Sequence, residues 1–397
     1  MRDVPPTAGM PLHWHDFLPE SAVSFEQALA DFLNVPAVQV ECSGTAALIV
    51  TLTAMAIDSK RRQVVLPAYT CPLVALAVLH CGLEPVLCDL RPGHFDIDPE
   101  ALNLLCNENT LALIATHLGG RVADLAPVLD IARRTGTHVI EDAAQALGAS
   151  WLGKPLGMIG DAGFYSLAAG KGLTLYEGGI LLAREEPLRQ RLHKVSCDVI
   201  ARSIPAEIVR MIQLLGYAAF YRPAGIGLAY GMPLRRALRQ GNLLDAVGDN
   251  FSADIPLHRI GSWRKKTGAR TLRRLPGFLK TLEQQGLRRA QRLAAIPGIS
   301  VMTDAPDARG VWPFFMVLMP SRRVRDEVLS VLWTAGLGVN RLYLNALPDY
   351  HYLSGAFKGG NVPCARDFAA RMISISNSPW LSDKQFERIC QALETPA

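Results

Sequence analysis

The chain has 397 residues, of which 49% are hydrophobic, 19% charged and 7% aromatic, and its net charge is +5. This composition is typical of a globular protein and excludes collagen, coiled coils and disordered chains. Its eight cysteines form no Cys-x-x-Cys pair, which predicts reduced, buried thiols of a cytoplasmic protein. The first residues lack a basic segment followed by an apolar one, so we expect no secretory signal peptide.

Residues 38–183 alternate short β-rich runs with helical runs. This alternation predicts a doubly wound, mostly parallel sheet built from βαβ units. The predicted strands cover 38–41, 63–66, 85–89, 111–116, 139–142 and 162–167. Predicted helices begin at Thr45 and cover 72–80 and 125–135, the last with Asp124 as its N-cap and Gly136 as its stop.

The middle of the chain departs from this rhythm. Residues 195–260 are rich in apolar residues, Pro and Gly, and their two longest apolar runs cover 211–221 and 223–234. Each run is shorter than the roughly 20 residues that a membrane-spanning helix needs. Leucines at helical spacing follow, and Pro276-Gly277 predicts two amphipathic helices there rather than one.

The last hundred residues have the pattern of a smaller α+β domain. A strand is predicted at 312–319 and helices at 324–335 and 383–393, with Ser382 as the N-cap of the last helix. The predicted division of the chain is a large domain at 1–194, an apolar insert at 195–260, and a part at 261–397 that holds the amphipathic helices and the small domain.

Three short motifs can carry chemistry, although each also has an ordinary structural explanation. The small residues at 42–47, between a strand and a helix, let backbone amides approach a phosphate, but they also suit a plain N-cap turn. Asp142 follows an apolar strand, where a carboxylate can hold a protonated ring nitrogen or cap a helix. Lys171 lies between two glycines, where it can form a Schiff base or be a solvated surface lysine.

The order of the motifs favours the chemical explanation: the phosphate cradle, the acid, Ser166 five residues before Lys171, and then a Gly-Gly turn. This order resembles the pyridoxal-phosphate aminotransferases of fold type I and, more narrowly, the DegT/DnrJ/EryC1/StrS family of sugar aminotransferases. The family motifs Ser-Gly-Thr-Ala-Ala-Leu, Pro-x-x-Thr, His-Leu-x-Gly-x-x-Ala-Asp, Glu-Asp-Ala-Ala-Gln, Phe-Ser-x-x-x-x-Lys and Glu-Gly-Gly are matched at 43–48, 67–70, 117–124, 141–145, 165–171 and 177–179. The fifth match has Tyr165 for Phe.

The resemblance implies pyridoxal 5'-phosphate as cofactor and a role for each site residue. Lys171 would bind the cofactor and move the proton between the substrate's amino-bearing carbon and the cofactor's C4' carbon, and Asp142 would keep the ring nitrogen protonated. The other implied positions are Gly44, Thr45 and Ser166 at the phosphate, Gln145 at the ring oxygen, and His117, Arg341 and Tyr343 on the substrate side. A purely structural hydrogen-bonding role suits His117 equally well.

The chain departs from the family pattern at three places. Cys71 stands where family members place an aromatic residue that stacks on the ring, and Tyr69 does not share its position. Residues 257–260 stand in place of an Asn-Tyr-Arg-Met segment, whose Asn binds the phosphate of the neighbouring subunit. Two glycines flank Lys171 instead of Thr and Asn. Since family members that dehydrate deoxysugars carry His in place of this lysine, Lys171 favours amino transfer.

Two surfaces raise the question of partners. The apolar residues at 203–240 suit a helical hairpin packed on its own domain or on a second subunit, or an interfacial membrane segment flanked by arginines. Residues 264–292 carry ten Lys and Arg against the single acid Glu283. Without an aromatic stacking platform we expect them to form a solvated or sugar-phosphate-facing surface and not to bind nucleic acid. His13 and His15 lack further ligands, so no metal site is expected.

The sequence therefore predicts a cytoplasmic, homodimeric pyridoxal-phosphate aminotransferase of amino-sugar and polysaccharide biosynthesis, with a membrane-peripheral location left open. Its predicted substrates are an amino acid such as glutamate as donor and a keto-sugar linked to a nucleotide or a lipid. Two alternatives remain: another pyridoxal-phosphate reaction, such as elimination or racemisation of a small amino acid, and a non-catalytic membrane-bound or regulatory scaffold of the same fold.

Overall fold

The structure is a computed structural model that describes residues 2–18, 23–357 and 360–395. The strands in these ranges are β1 (Gln39–Glu41), β2 (Gln63–Pro67), β3 (Glu84–Cys88), β4 (Thr110–Thr116), β5 (His138–Asp142), β6 (Ser150–Trp151), β7 (Lys154–Pro155), β8 (Ala162–Ser166), β9 (Gly179–Ala183), β10 (Ser300–Val301), β11 (Ala308–Arg309), β12 (Phe314–Leu318), β13 (Val339–Asn340) and β14 (Met372–Ser376). The helices are α1 (Phe25–Leu33), α2 (Gly44–Ala56), α3 (Pro72–His80), α4 (Pro99–Leu105), α5 (Ala126–Thr135), α6 (Glu186–Val199), α7 (Ile204–Phe220), α8 (Pro223–Ile226), α9 (Met232–Arg239), α10 (Leu243–Val247), α11 (Ser262–Leu272), α12 (Leu275–Ala294), α13 (Arg322–Leu332), α14 (Pro363–Arg371) and α15 (Asp383–Glu394).

A seven-stranded sheet forms the centre of the large domain, with the strand order β1-β9-β8-β5-β4-β2-β3. The strands β8, β5, β4, β2 and β3 pair in parallel, whereas β9 runs antiparallel to both β1 and β8. Helices cover the sheet on both faces, so its strands are nearly continuous runs of buried apolar residues. The mostly parallel α/β sheet predicted from the alternating pattern is therefore confirmed.

A second sheet, with the order β10-β12-β14-β13, is fully antiparallel and forms the small α+β domain. Its core also takes in Val4 from the start of the chain. The predicted cap of its last helix is confirmed: the Ser382 hydroxyl accepts from the Gln385 N–H, and the Gln385 side chain accepts from the Ser382 N–H.

Local stop and start signals were mostly predicted correctly. Helix α5 ends at Thr135 and is capped by Gly136, whose φ of 65° is the left-handed conformation that glycine adopts without strain. Two helices do replace one around Pro276, which lies in the first turn of α12, where its missing N–H costs nothing. The prediction of Asp124 as N-cap is wrong by one residue: Leu125 occupies the cap, while the Asp124 carboxylate accepts from the Ala126 N–H.

The eight cysteines are all free thiols, as predicted, but they are not all buried. Cys42, Cys88, Cys106 and Cys390 are buried, and Cys197 on α6 is exposed. The remaining three, Cys71, Cys81 and Cys364, are half-buried. The prediction of buried thiols is wrong for Cys197, because it lies on the solvent side of an amphipathic helix.

The apolar insert is helical, and α7 to α10 form most of it. The division at 194 and 260 stays a prediction, and its first boundary falls inside α6. The basic stretch that follows is less solvated than expected, because several of its cations pair with acids of other elements. These pairs are Arg264 with Glu207, Lys265 with Glu26, Arg274 with Asp16, Arg289 with Asp383, and Arg292 with Glu387.

Candidate active site

A cavity of about 420 Å³ opens at the carboxyl ends of the parallel strands. The register brings Thr116 and Asp142, the last residues of β4 and β5, beside Phe164 of β8, and all three line the cavity. Ligands of open α/β sheets bind at this edge, because the loops and helix N-termini that follow the strands converge there. The cavity brings together most of the site residues predicted from sequence: Gly44, Thr45, His117, Asp142, Gln145, Ser166, Lys171 and Tyr343.

The N-terminus of α2 forms one end of the cavity. Ser43 caps the helix by accepting from the Ala46 N–H at 2.9 Å, and Gly44 and Thr45 are its first two residues. N–H groups in this first turn have no acceptor within the helix and carry the positive end of its dipole. Gly179 packs so closely that a Cβ there would lie 2.3 Å from the Ser43 carbonyl oxygen. The arrangement suits an anion held by backbone amides and by the Ser166 hydroxyl.

Asp142 is buried at the floor of the cavity. One of its oxygens accepts from the Ala144 N–H at 3.1 Å, which fixes the carboxylate just beyond the end of β5. Burial raises the pKa of Asp142, while the nearby charge of Lys171 opposes that rise. This buried carboxylate can therefore form an ion pair with a cation that enters the cavity.

Lys171 is half-buried in the cavity wall. Its loop is set by Gly170, whose φ of 79° is left-handed, and by the Lys171 N–H, which donates to the Ala168 carbonyl. Burial lowers the pKa of Lys171, and the neighbouring Cys71 and Asp142 act in the opposite direction. A lysine of this kind is neutral at lower pH than a solvated one, so it is a better nucleophile and base.

Cys71, at the position where an aromatic residue was expected, lines the cavity. Burial raises its thiol pKa to about 12, so it contributes a neutral side chain there. Tyr69 instead packs edge-on against Tyr343 and Phe368 and does not line the cavity. Its hydroxyl donates to the Tyr343 carbonyl and accepts from the Tyr343 N–H, both at 3.2 Å, which holds Tyr343 at the cavity wall.

His117 borders the cavity with both ring nitrogens engaged inside the protein. Its Nδ1 accepts from the Ala123 N–H at 3.1 Å, so Nε2 carries the proton that faces the Glu141 carboxylate at 3.3 Å. Glu141 also accepts from the N–H groups of Gly157, Ile159 and Gly160. The pair therefore fixes the loop beyond β5, and a substrate role for His117 stays a prediction.

Gln145 and Arg341 differ in what they offer the cavity. The Gln145 Oε1 accepts from the Gly119 N–H at 2.7 Å, which leaves its amide NH2 group to donate into the cavity. Arg341 is buried outside the cavity lining, where its guanidinium donates to the carbonyls of Leu344 and Ala369. The structure therefore does not bring Arg341 together with the other predicted site residues.

Sequence reasoning missed a wall of the cavity that is formed by residues of 252–256. Asp249, buried just before it, accepts from the Tyr350 hydroxyl and from the Leu344 N–H, both at 2.6 Å. The Tyr352 hydroxyl donates to the Asp249 carbonyl. The segment directly precedes the weakly matching residues 257–260, which was the only signal that pointed to it.

The central sheet with its antiparallel β9 and the lysine and carboxylate at its carboxyl edge define a fold type I enzyme of the pyridoxal-phosphate class. The chain belongs to the DegT/DnrJ/EryC1/StrS aminotransferase family, whose profile matches residues 14–215 and 265–394. The family and the fold predicted from sequence are confirmed, and pyridoxal phosphate is the cofactor that this family uses.

Individual relatives support this membership. GDP-perosamine synthase of Caulobacter vibrioides is 36% identical over 179 residues, which are 45% of this chain, and the chain spans about half (48%) of that relative's length. The spore coat polysaccharide biosynthesis protein SpsC of Bacillus subtilis is 24% identical over 93% of this chain and 87% of its own. The putative sugar aminotransferase Spr1654 of Streptococcus pneumoniae, solved in its PLP-form, has the same fold, with a TM-score of 0.73 at 19% identity over 99% of this chain and 98% of its own.

The residues present fit pyridoxal phosphate. The cavity offers a helix N-terminus and a hydroxyl for a phosphate, a buried carboxylate for a protonated ring nitrogen, and a lysine whose lowered pKa suits attack on an aldehyde. Within the described ranges, no cluster of three or more metal-ligating side chains is present, and no helix is long and apolar enough to cross a membrane.

Proposed function

We propose that the protein is a pyridoxal-phosphate-dependent aminotransferase that moves the amino group of an amino acid, with glutamate the first candidate, to a keto-sugar linked to a nucleotide or a lipid. One observation carries the proposal: Lys171, Asp142 and the N-terminus of α2 converge on one cavity at the carboxyl edge of the sheet. The sugar substrate is supported by relatives whose names specify amino-sugar chemistry, among them GDP-perosamine synthase and a dTDP-amino-sugar transaminase of Streptomyces venezuelae.

The residues would divide the work as follows. When bound, pyridoxal phosphate supplies the electron sink that stabilises negative charge at the amino-bearing carbon. The neutral amine of Lys171 takes the proton from that carbon and returns it at the C4' position. The Asp142 carboxylate holds the proton on the ring nitrogen, and the Gln145 amide donates toward the ring oxygen. The N–H groups of Gly44 and Thr45 and the Ser166 hydroxyl bind the phosphate.

The wall at 252–256 and Tyr343 would contact the sugar, because they line the cavity and are not among the groups proposed to hold the cofactor. We also propose that the protein is a homodimer, as the family resemblance implies. Sedimentation velocity of the cofactor-loaded protein tests this state. The cytoplasmic location stays a prediction.

Visible absorption of the purified protein with pyridoxal phosphate tests the reaction. Wild type and the control Lys154→Ala, which changes an exposed lysine, are expected to show a band of lysine-bound cofactor that L-glutamate converts to the absorption of the amino form of the cofactor. Lys171→Ala is expected to lack that band. If Lys171→Ala showed the wild-type band, or if wild type showed none, the proposed chemistry would be wrong.

A panel of keto-sugars then separates the remaining alternatives. Amino-sugar product formed at the expense of the amino form of the cofactor supports amino transfer to a sugar. Elimination or racemisation of a small amino acid, with no amino sugar formed, would favour the other pyridoxal-phosphate reactions.

A further inference from the structure

Helix α7 has its apolar side turned to solvent. Its exposed residues are all apolar: Ile204, Pro205, Ile208, Val209, Ile212, Leu215, Ala219 and Phe220. Ile204 is 76% exposed and Ile212 63%, values that are unusual for large aliphatic side chains. These residues share one side of the helix, since they follow one another at steps of one, three or four positions. Surface helices of globular proteins normally place their polar residues on this side.

The polar residues of α7 face the protein and fix its orientation. Glu207 forms an ion pair with Arg264, a fully buried arginine that also donates to the carbonyls of Leu175 and Glu177. Arg210 pairs with Glu177, next to the Gly-Gly turn beside the cavity. A rotation that buried the apolar side would break these ion pairs and leave charges unpaired in the interior. The outward apolar face is therefore built into the fold.

Further exposed apolar residues follow α7, and the exposed charged residues of the same stretch are all positive. Leu228 is 56% exposed and Met232 54%. The exposed charged residues within 202–240, a stretch that the structure describes completely, are Arg202, Arg222, Arg236 and Arg239. The acid of this stretch, Glu207, is turned inward. An apolar face with a rim of arginines is complementary to a bilayer surface with anionic headgroups.

We propose that the face formed by the exposed apolar residues of 204–232 and the arginines around it docks the protein on an anionic membrane surface. A second copy of the chain fits this face less well, because a two-fold contact would bring the arginines of 202–240 together with no exposed carboxylate of the same stretch to pair them. The helix would lie in the interface, with its aliphatic side chains among the acyl chains and the arginines at the headgroups. This inference does not depend on the proposed reaction.

Flotation of the cofactor-loaded full chain with vesicles tests the docking. We expect wild type to float with vesicles of equal parts phosphatidylglycerol and phosphatidylcholine, and to float less with phosphatidylcholine alone or at high salt. The double variant Ile208→Glu/Ile212→Glu should lower the bound fraction about tenfold, because it places charges among acyl chains. Leu104→Glu, which changes an 83% exposed leucine on α4, is the matched control and should float like wild type.

A second double variant measures how much the charge of the arginines contributes to membrane binding. Arg236→Ala/Arg239→Ala should weaken flotation several-fold and flatten its dependence on salt. Circular dichroism and the Lys171-dependent absorption band establish that each variant is folded. Failure of wild type to float with either vesicle overturns the proposal. So does equal loss in Leu104→Glu, or conversion of a wild-type dimer to a monomer by Ile208→Glu/Ile212→Glu, which would assign the face to contacts between copies.

Discussion

The two walls of the cavity are built in different ways. The sheet-side wall consists of residues at strand ends and in the first turn of α2, each positioned by regular backbone hydrogen bonds. The opposite wall consists of residues 252–256, an irregular segment at the end of the insert, and of Tyr343. Side-chain hydrogen bonds of Asp249 and Tyr69 position this second wall.

This difference suits the two tasks that we propose for the site. Groups that hold a cofactor must keep one geometry for every substrate, and strand ends provide it because the whole sheet supports them. An irregular segment tolerates insertion and substitution, so substrate recognition can change there without disturbing the chemistry. Variants on the two walls should therefore fail in different ways.

The largest effect is expected on the sheet-side wall. Asp142→Asn should lower kcat by about 10²- to 10³-fold, because the amide cannot hold a proton on the ring nitrogen. The cofactor-free variant should melt at a higher temperature than cofactor-free wild type. Burial raises the pKa of Asp142, so its charge costs stability at pH values above that pKa, and the neutral amide removes the cost. Steady-state kinetics and calorimetry, with the exposed Asp130→Asn as control, test both parts; an unchanged kcat contradicts the role.

A stability effect is expected next, on the opposite wall. Asp249→Ala should lower the free energy of unfolding by about 1–3 kcal/mol, because the Leu344 N–H and the Tyr350 hydroxyl lose their acceptor in a buried place. Asp249→Asn keeps an acceptor oxygen and should lose less than half as much. Urea denaturation measures both values. Equal losses in the two variants would show that the hydrogen bonds do not hold this wall.

The pH dependence of cofactor binding tests whether Lys171 and Asp142 interact on the sheet-side wall. Burial lowers the pKa of Lys171 below that of a solvated lysine. At pH values below this lowered pKa, the rate of cofactor capture should decline about tenfold per pH unit, because the neutral amine becomes scarce. Asp142 raises the pKa of Lys171, so in Asp142→Asn the decline should move to lower pH. Stopped-flow absorbance across a pH series measures the shift. A decline that stays in place in the variant would mean that the two groups do not interact.

The smallest effect is expected from Asp254, an exposed cavity residue on the opposite wall. Asp254→Asn should change KM for the keto-sugar by less than about tenfold and leave kcat near wild type, because single exposed polar contacts contribute little. Asp245→Asn, at an exposed acid outside the cavity lining, is the control. A collapse of kcat in Asp254→Asn would place the chemistry on the wrong wall.

The sequence predicted more of the sheet-side wall than of the other wall. Gly44, Asp142 and Lys171 were found because strand ends and helix starts leave local patterns, and their order along the chain carried the rest. The segment 252–256 was missed, since its place in the cavity depends on Asp249 reaching a buried tyrosine 101 residues later. No local sequence pattern indicates a contact between residues so far apart in the chain.

The apolar insert shows the same limit on the protein surface. Its composition identified an unusual stretch but left open whether its apolar residues are buried. Their outward orientation is decided by Glu207 and Arg210, which find partners in distant segments. Arg341 was proposed from a motif position, whereas the structure engages its guanidinium with carbonyls away from the cavity.

The first residues of the chain lie between the lysine loop and the insert. The Thr7 hydroxyl donates to the Gly170 carbonyl, and Tyr221, at the end of α7, donates to the Thr7 carbonyl and accepts from the Gly9 N–H. These contacts join segments 163 and 212 residues apart. During synthesis, the insert can add its support to the loop of Lys171 only after Tyr221 has left the ribosome, so this set of contacts is completed late in the folding of the chain.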